Sequence, residues 1–226
     1  MKKVFSKDKR ESILNQSFGN KLISIMHGKD LDVFVSDPDY AIRKEVATIG
    51  RYKDLDILVH DSNPEVRLSV AYHGRNKDLD ILVHDPDYQV RAAVADKMRY
   101  KDYDILVYDE NWIVREIVAK YGRYEDADIL VHDNDYHVRR AIAHRGRYED
   151  LDILVHDENE SVRLEVAKHG RNKDLDILVH DPDVHVRTVV LMHARKQDID
   201  ILIDDHEVIL EMIKIINKLK PLNNFN

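Results

Sequence analysis

Arg67, Arg91, Arg115, Arg139, Arg163 and Arg187 each follow a valine and recur at one fixed interval along the chain; Arg43 extends the series by one. A row of guanidinium groups at fixed spacing offers two kinds of chemistry. It is either a basic strip for phosphates or a ladder in which each planar fork grips a carboxylate bidentately. The adjacent valine favours the ladder, because an arginine beside a core residue is partly buried and an unpaired buried charge is costly. The partners are then the turn aspartates Asp61, Asp85, Asp109, Asp133, Asp157 and Asp181, within a unit or across to the next. A second column, Arg51, Arg75, Arg99, Arg123, Arg147, Arg171 and Arg195, falls between units beside aspartates such as Asp54 and Asp56. Turn fixation and charge balance are its expected role, a binding edge the other reading.

Histidine also recurs, at His60, His84, His132, His156 and His180, with Tyr108 in its place once. One histidine per unit suits a metal poorly. Neighbouring helices stack about 8–10 Å apart, whereas each ligand of a shared Zn²⁺ must come within roughly 2.1 Å of it. The expected role is a histidine at the end of a short helix, bonded to turn groups. The pairs Asp30/Asp32, Asp54/Asp56 and Asp85/Asp87 raise calcium, but they lack the glycine and distal glutamate of an EF-hand loop. Asp at a helix start is favoured by capping and by the helix dipole. No Ser/His/Asp arrangement and no phosphate-cradling glycine-rich loop is visible, so no catalytic residue, cofactor or metal is assigned.

These columns require a repeated scaffold. Hydrophobic residues make up 43% of the 226, enough for a core, and charged residues 35%, a share that suits the large surface of a repeat array. The net charge of -8 removes bulk attraction to nucleic acid or anionic lipid as the default. Cysteine is absent, which excludes disulfides and thiol chemistry and fits a reducing cytoplasm, the expected location. No stretch approaches the ~18 apolar residues of a membrane span, and the basic N-terminus lacks the apolar run of a signal peptide.

The pattern predicts a single all-α domain over 1–226, a right-handed α-solenoid of about eight two-helix repeats, α/3₁₀ or α/α. Residues 1–25 form an N-terminal capping segment, polar and frayed over 1–10 and helical over 11–27. There Phe18, Leu22 and Ile23 precede the core positions Ile42, Val46 and Ala47 by one full period. Seven repeats fill 26–193, beginning at Met26, Gly50, Gly74, Met98, Gly122, Gly146 and Gly170. Each has a short first helix, such as Leu55, Ile57, Leu58 and Val59 with Asp54 as N-cap. A turn follows, then a second helix whose core stripe is Val66, Val70 and Ala71. Gly74, Gly122, Gly146 and Gly170 follow second helices, where a residue of positive φ is wanted. A C-terminal capping repeat spans 194–219, with Ile209, Met212, Ile213, Ile216 and Leu219 on its last helix. Pro221 ends that helix, and 220–226 are a loose tail.

The block Leu-x-x-Leu-Val-x-Asp-Pro-Asp-x-x-Val-Arg-x-x-Val-Ala, clearest over Leu79–Ala95, resembles the leucine-rich repeat variant family over residues 26–217. That family's unit has the same length and alternates α and 3₁₀ helices. The Asp-x-x-x-x-Val-Arg core is similar to HEAT repeats, which use an Asp–Arg ladder. In place of the family's usual Asn-Pro after the second helix stand Gly-Arg-Tyr or Gly-Arg-Asn. Some relatives carry a cysteine-ligated iron–sulfur cluster, which a chain without cysteine lacks the ligands for. HEAT-like iron hydroxylases use several His-Glu pairs; His206-Glu207 is the only such dipeptide here.

Function is then sought where the units differ. Just before the second helix stand Tyr40, Pro64, Tyr88, Trp112, Tyr136, Glu160 and Val184, followed by Ala41, Glu65, Gln89, Ile113, His137, Ser161 and His185, and one after the ladder arginine come Lys44, Leu68, Ala92, Glu116, Arg140, Leu164 and Thr188. Variable columns on a fixed scaffold suit partner binding, and clustered aromatics suit an interface hot spot. The expectation is a non-enzymatic scaffold that binds a protein or peptide through Tyr88, Trp112, Ile113, Tyr136 and His137. The alternatives are nucleic-acid binding through the arginines, with glycosylase-like activity, and an acidic inhibitor that mimics nucleic acid through exposed Asp columns. The turn tyrosines Tyr52, Tyr100, Tyr124 and Tyr148 are expected to pack.

Overall fold

The computed structural model describes residues 6–219, with 18 helices and no strand among them. Two compact units partition the chain, Met1–Ile117 and Val118–Asn226. The first holds α1 (Lys7–Leu14), α2 (Phe18–Met26), α3 (Leu31–Phe34), α4 (Tyr40–Ile49), α5 (Tyr52–Leu58), α6 (Pro64–His73), α7 (Asn76–Leu82), α8 (Tyr88–Ala95), α9 (Tyr100–Leu106) and most of α10 (Trp112–Tyr121). The second continues through α11 (Tyr124–Leu130), α12 (Tyr136–Arg145), α13 (Tyr148–Leu154), α14 (Glu160–Lys168), α15 (Asn172–Leu178), α16 (Val184–Met192), α17 (Lys196–Leu202) and α18 (His206–Leu219). In each unit the second helices stack on one another, α4 on α6 on α8 and α12 on α14 on α16 on α18, and the short helices pack beside them. This neighbour-to-neighbour packing is that of an α-solenoid.

Burial follows helical geometry. On the second helices Val66, Val70 and Ala71 are buried, as are their equivalents in every later repeat up to Val186 and Val190. On the first helices Leu55, Leu58 and Val59 form the buried stripe. Ile57, expected in that core, is 55% exposed. Residues i, i+3 and i+4 share a helix face, and position 57 lies off it. The first helices are short α-helices rather than 3₁₀.

Capping differs from expectation. The N-cap of α5 is Arg51, not Asp54, which stands two residues further in than the first helical residue, Tyr52. The second helices are capped instead by Asp or Asn: Asp39, Asn63, Asp87, Asp135, Asn159 and Asp183 each accept the N–H two residues on. The column Tyr40, Pro64, Tyr88, Trp112, Tyr136 therefore opens the second helix rather than preceding it.

Gly74, Gly146 and Gly170 take positive φ after their helices, but Gly122 does not. Met98 and Ala194, in the same column, do so with φ 55°. At Gly146 a second constraint applies: a Cβ would lie 2.5 Å from the ring of His169.

The N-terminal segment also departs from the reading. Residues 7–10 are helical. In α2 the buried residues are Lys21 and Ile25, while Phe18 is 49% and Ile23 56% exposed. Ser17 caps α2 and Gly28 takes the positive φ, each two residues later than the period of the later repeats demands from Asp39 and Gly50. That shift brings Lys21 onto Asp37 at 2.8 Å, the place of a ladder arginine. Residues 1–5, the Leu219 side chain, Pro221 and the tail 220–226 lie outside the described residues.

Candidate binding groove

The arginine columns are the first candidates, and the structure places them in ion pairs. Arg43, Arg67, Arg91, Arg139, Arg163 and Arg187 each reach forward to the next turn. Arg67 donates through Nε and Nη2 to Asp85 at 2.6 and 2.8 Å, and through Nη1 to the carbonyl of Asp61 at 2.7 Å. Arg43–Asp61, Arg91–Asp109, Arg139–Asp157, Arg163–Asp181 and Arg187–Asp205 repeat the bidentate or single pairing. Arg115 donates to the carbonyls of Asp109 and Glu110, and Asp133 accepts the N–H of Asp135. The ladder thus joins turn to turn across repeats, with both partners largely buried. Burial pushes the Asp61 carboxyl up, but the Arg43 fork and the Asn63 N–H outweigh it and hold Asp61 below the usual carboxylate range. The same aspartate pairing raises Arg43 and Arg67.

The second arginine column is engaged as well. Arg75 grips Asp78 within its own repeat at 2.5 Å and reaches back to Asp56 at 2.7 Å. Lys77 joins it on Asp56, and the Lys77 ammonium and Arg75 together keep that carboxyl low. Asp32, Asp80 and Asp152 receive the same paired cations. The turn tyrosines do not pack into the core: Tyr52 is 75% exposed, with the Arg75 guanidinium 5.3 Å over its ring, and Arg171 sits likewise over Tyr148.

The column of His60, His84, His132, His156 and His180 is solvent-exposed. Among the described residues no three His, Asp or Glu side chains converge in a way that would hold a metal ion. A different column does helix-end work that the sequence reading missed. His169 and His193 bond the carbonyls of Ala143 and Ala167 at 2.8 Å, and Lys97 bonds that of Tyr72 at 2.7 Å. Each adds a donor to a carbonyl in the last turn of the preceding second helix, where the regular helical hydrogen bonds run out; Ala143 and Ala167 also accept the N–H of Gly146 and Gly170.

With these charges paired, the feature that distinguishes one region is a groove of ≈370 Å³ on the second helices of the first unit. Its floor is α8, where Ala92 and Ala93 leave the backbone close to the surface. Leu68 and Tyr72 of α6 form one wall, Ile113 and Ile117 of α10 the other. Tyr88 and Gln89 stand at the N-terminal end of α8 and Asp96 at its C-terminal end. Two of the five predicted contact residues, Tyr88 and Ile113, are thereby brought together. Trp112 does not line the groove. Tyr136 and His137 lie in the second unit, where their ring centres are 3.9 Å apart at a tilt of 31° and His137 bonds its own N-cap, Asp135, at 2.9 Å. The groove residues that sequence reasoning missed are Tyr72, Ala93, Asp96 and Ile117. A signal for them exists: positions 89, 92, 93 and 96 repeat i, i+3, i+4, i+7, the stripe opposite the core.

The architecture is that of a helical repeat protein, and a solved structure of similar architecture matches it over most of the chain. A solved structure described as a leucine-rich repeat variant with a novel repetitive structural motif superposes with a TM-score of 0.73 at 28% identity, over 92% of this chain and 85% of that one. The resemblance read from the repeat block therefore holds in three dimensions. The Escherichia coli protein YibA aligns over 95% of this chain and 98% of its own at 17% identity, with a TM-score of 0.48. No protein-family model matches the chain, and no curated protein matches it by sequence. No helix among the described residues is long and apolar enough to cross a membrane.

Proposed function

We propose that the chain is a non-enzymatic repeat scaffold that binds a protein or peptide partner on the exposed face of its second helices. One observation carries the reading. Other second helices carry paired charges on this same face, as in Lys44–Glu65 and Lys168–Glu165. At α8 the pattern gives way to an apolar groove with an alanine floor. Tyr88 and Ile113 enter as parts of its lining; Trp112, Tyr136 and His137 remain candidate contacts at the first turns of α10 and α12. A preformed surface on a rigid stack binds with little ordering cost. The competing readings draw less support. The arginine columns are held by carboxylates, which leaves less positive charge for phosphates, and the ladder aspartates are buried, which removes them from a nucleic-acid mimic.

The test is selection of a displayed random-peptide library on the immobilised protein, with Ala92→Trp as the filled-groove control. Far-UV dichroism establishes that the control keeps its helices. Enriched peptides should lose at least roughly tenfold in affinity on Ala92→Trp, the scale of a blocked hot spot. No enrichment, or enriched peptides indifferent to the substitution, would overturn the groove reading.

A further inference from the structure

The groove's one free charge among the described residues points to the chemistry of its occupant, an inference that rests on the binding reading above. Asp96 is exposed at the C-cap of α8, and its carboxylate has no hydrogen bond or ion pair among the described residues. Its neighbour Lys97 is held on the Tyr72 carbonyl, and Glu65, the acid on α6, is paired with Lys44. A solitary carboxylate at the mouth of an otherwise apolar groove attracts a cation once water is displaced around it. The net charge of -8 adds long-range attraction for a basic partner.

Dimensions select the partner's form. Stacked helices lie about 8–10 Å apart, so α6 and α10, one on either side of α8, leave roughly 16–20 Å between their axes. That spacing includes the bulk of α6 and α10 themselves, so a partner helix seats on top of α8, between the wall side chains, at the ordinary packing distance of about 8–10 Å. Ala92 and Ala93 permit the close approach such a helix needs. From Gln89 to Asp96 the floor runs about 10 Å, two helical turns. We infer that the groove takes a basic amphipathic helix, its apolar face on Ala92, Ala93 and the Leu68 and Ile117 walls, with a Lys or Arg at one end against Asp96.

The test uses the full chain and three labelled synthetic 15-residue helices by fluorescence anisotropy. Each carries leucines at i, i+3, i+4 and i+7; they differ only in Lys, Gln or Glu at one end of that stripe. The Lys peptide should bind roughly fivefold tighter than the Gln peptide, and the Glu peptide weakest, the scale of an exposed ion pair. Asp96→Asn should erase the Lys preference and leave the Gln peptide unchanged, and Ala92→Trp should weaken all three. Equal binding of Lys and Gln peptides to the wild type overturns the inference, as does a preference that survives Asp96→Asn. If all three bind equally yet respond to Ala92→Trp, the groove reading stands and the basic partner falls. If none binds, the basic helix is rejected and the library selection alone decides the groove.

Discussion

At the scale of single residues, one column shows how a backbone demand and a packing demand coincide. Gly146 has φ 74° and lies under the ring of His169, which bonds Ala143 of the preceding helix end. An L-residue in the left-handed region costs about 1–2 kcal/mol. Gly146→Ala adds a Cβ 2.5 Å from the imidazole, which must move and release the Ala143 carbonyl. The substitution should lower stability by about 2 kcal/mol or more in urea unfolding, with backbone strain and the lost bond both contributing. Ala194 is the converse: it already occupies φ 55°, so Ala194→Gly should raise stability, by about 1 kcal/mol. If both substitutions destabilise alike, positive φ is not the constraint at this column.

At the scale of elements, the ladder decides how one repeat is fixed to the next. Arg163 ties three things: the carbonyls of Asp157 and Glu158 in its own turn and the buried carboxylate of Asp181 in the next. Arg163→Ala leaves Asp181 charged, largely dry and with only the Asp183 N–H, so a loss of about 3–5 kcal/mol is expected by urea unfolding. Asp181→Asn keeps a hydrogen-bond acceptor for that N–H and should cost less. A loss under about 1 kcal/mol for Arg163→Ala would mean the pair acts as an exposed one. This ladder was legible from sequence because Val-Arg and the turn Asp recur at one period, with Ile42 the one replacement before Arg43, and a partly buried Arg demands a partner. The helix starts were less so. Asp54 and Arg51 both stand near the first turn of α5, and composition alone does not say which caps. The exposed Ile57 misled for a related reason: in a helix of two turns the pattern is too short for its phase to stand out. The groove was half-legible. Tyr88 and Ile113 stood out by type, but alanine is unremarkable in a sequence and becomes a floor only when Leu68, Tyr72 and Ile117 rise beside it.

At the scale of the whole chain, the period itself is open to test, and the second unit offers the cleanest case. Deleting residues 146–169 removes one period and joins Arg145 to Gly170, which already takes positive φ. Arg139, now paired with Asp157, would meet Asp181 at the same separation along the chain. His193 would replace His169 on the Ala143 carbonyl, and Asp183 would replace Asn159 as N-cap. The buried faces match at Val162 and Val186 and at Val166 and Val190. Two contacts do not carry over. Leu191 would stand where Ala167 packs, and Val189 where Glu165 bonds His144. In an array whose stability is a sum over units and their interfaces, the shortened chain should fold with the same ellipticity per residue. Its melting temperature should fall by several degrees, since about 1 kcal/mol corresponds to roughly 2–4 °C at this size. Deleting only 146–167, two residues short of the full period, should instead throw Arg139 out of line with Asp181 and abolish cooperative melting. Equal melting of the two deletions would show that packing of the second helices, rather than the ladder register, joins the repeats.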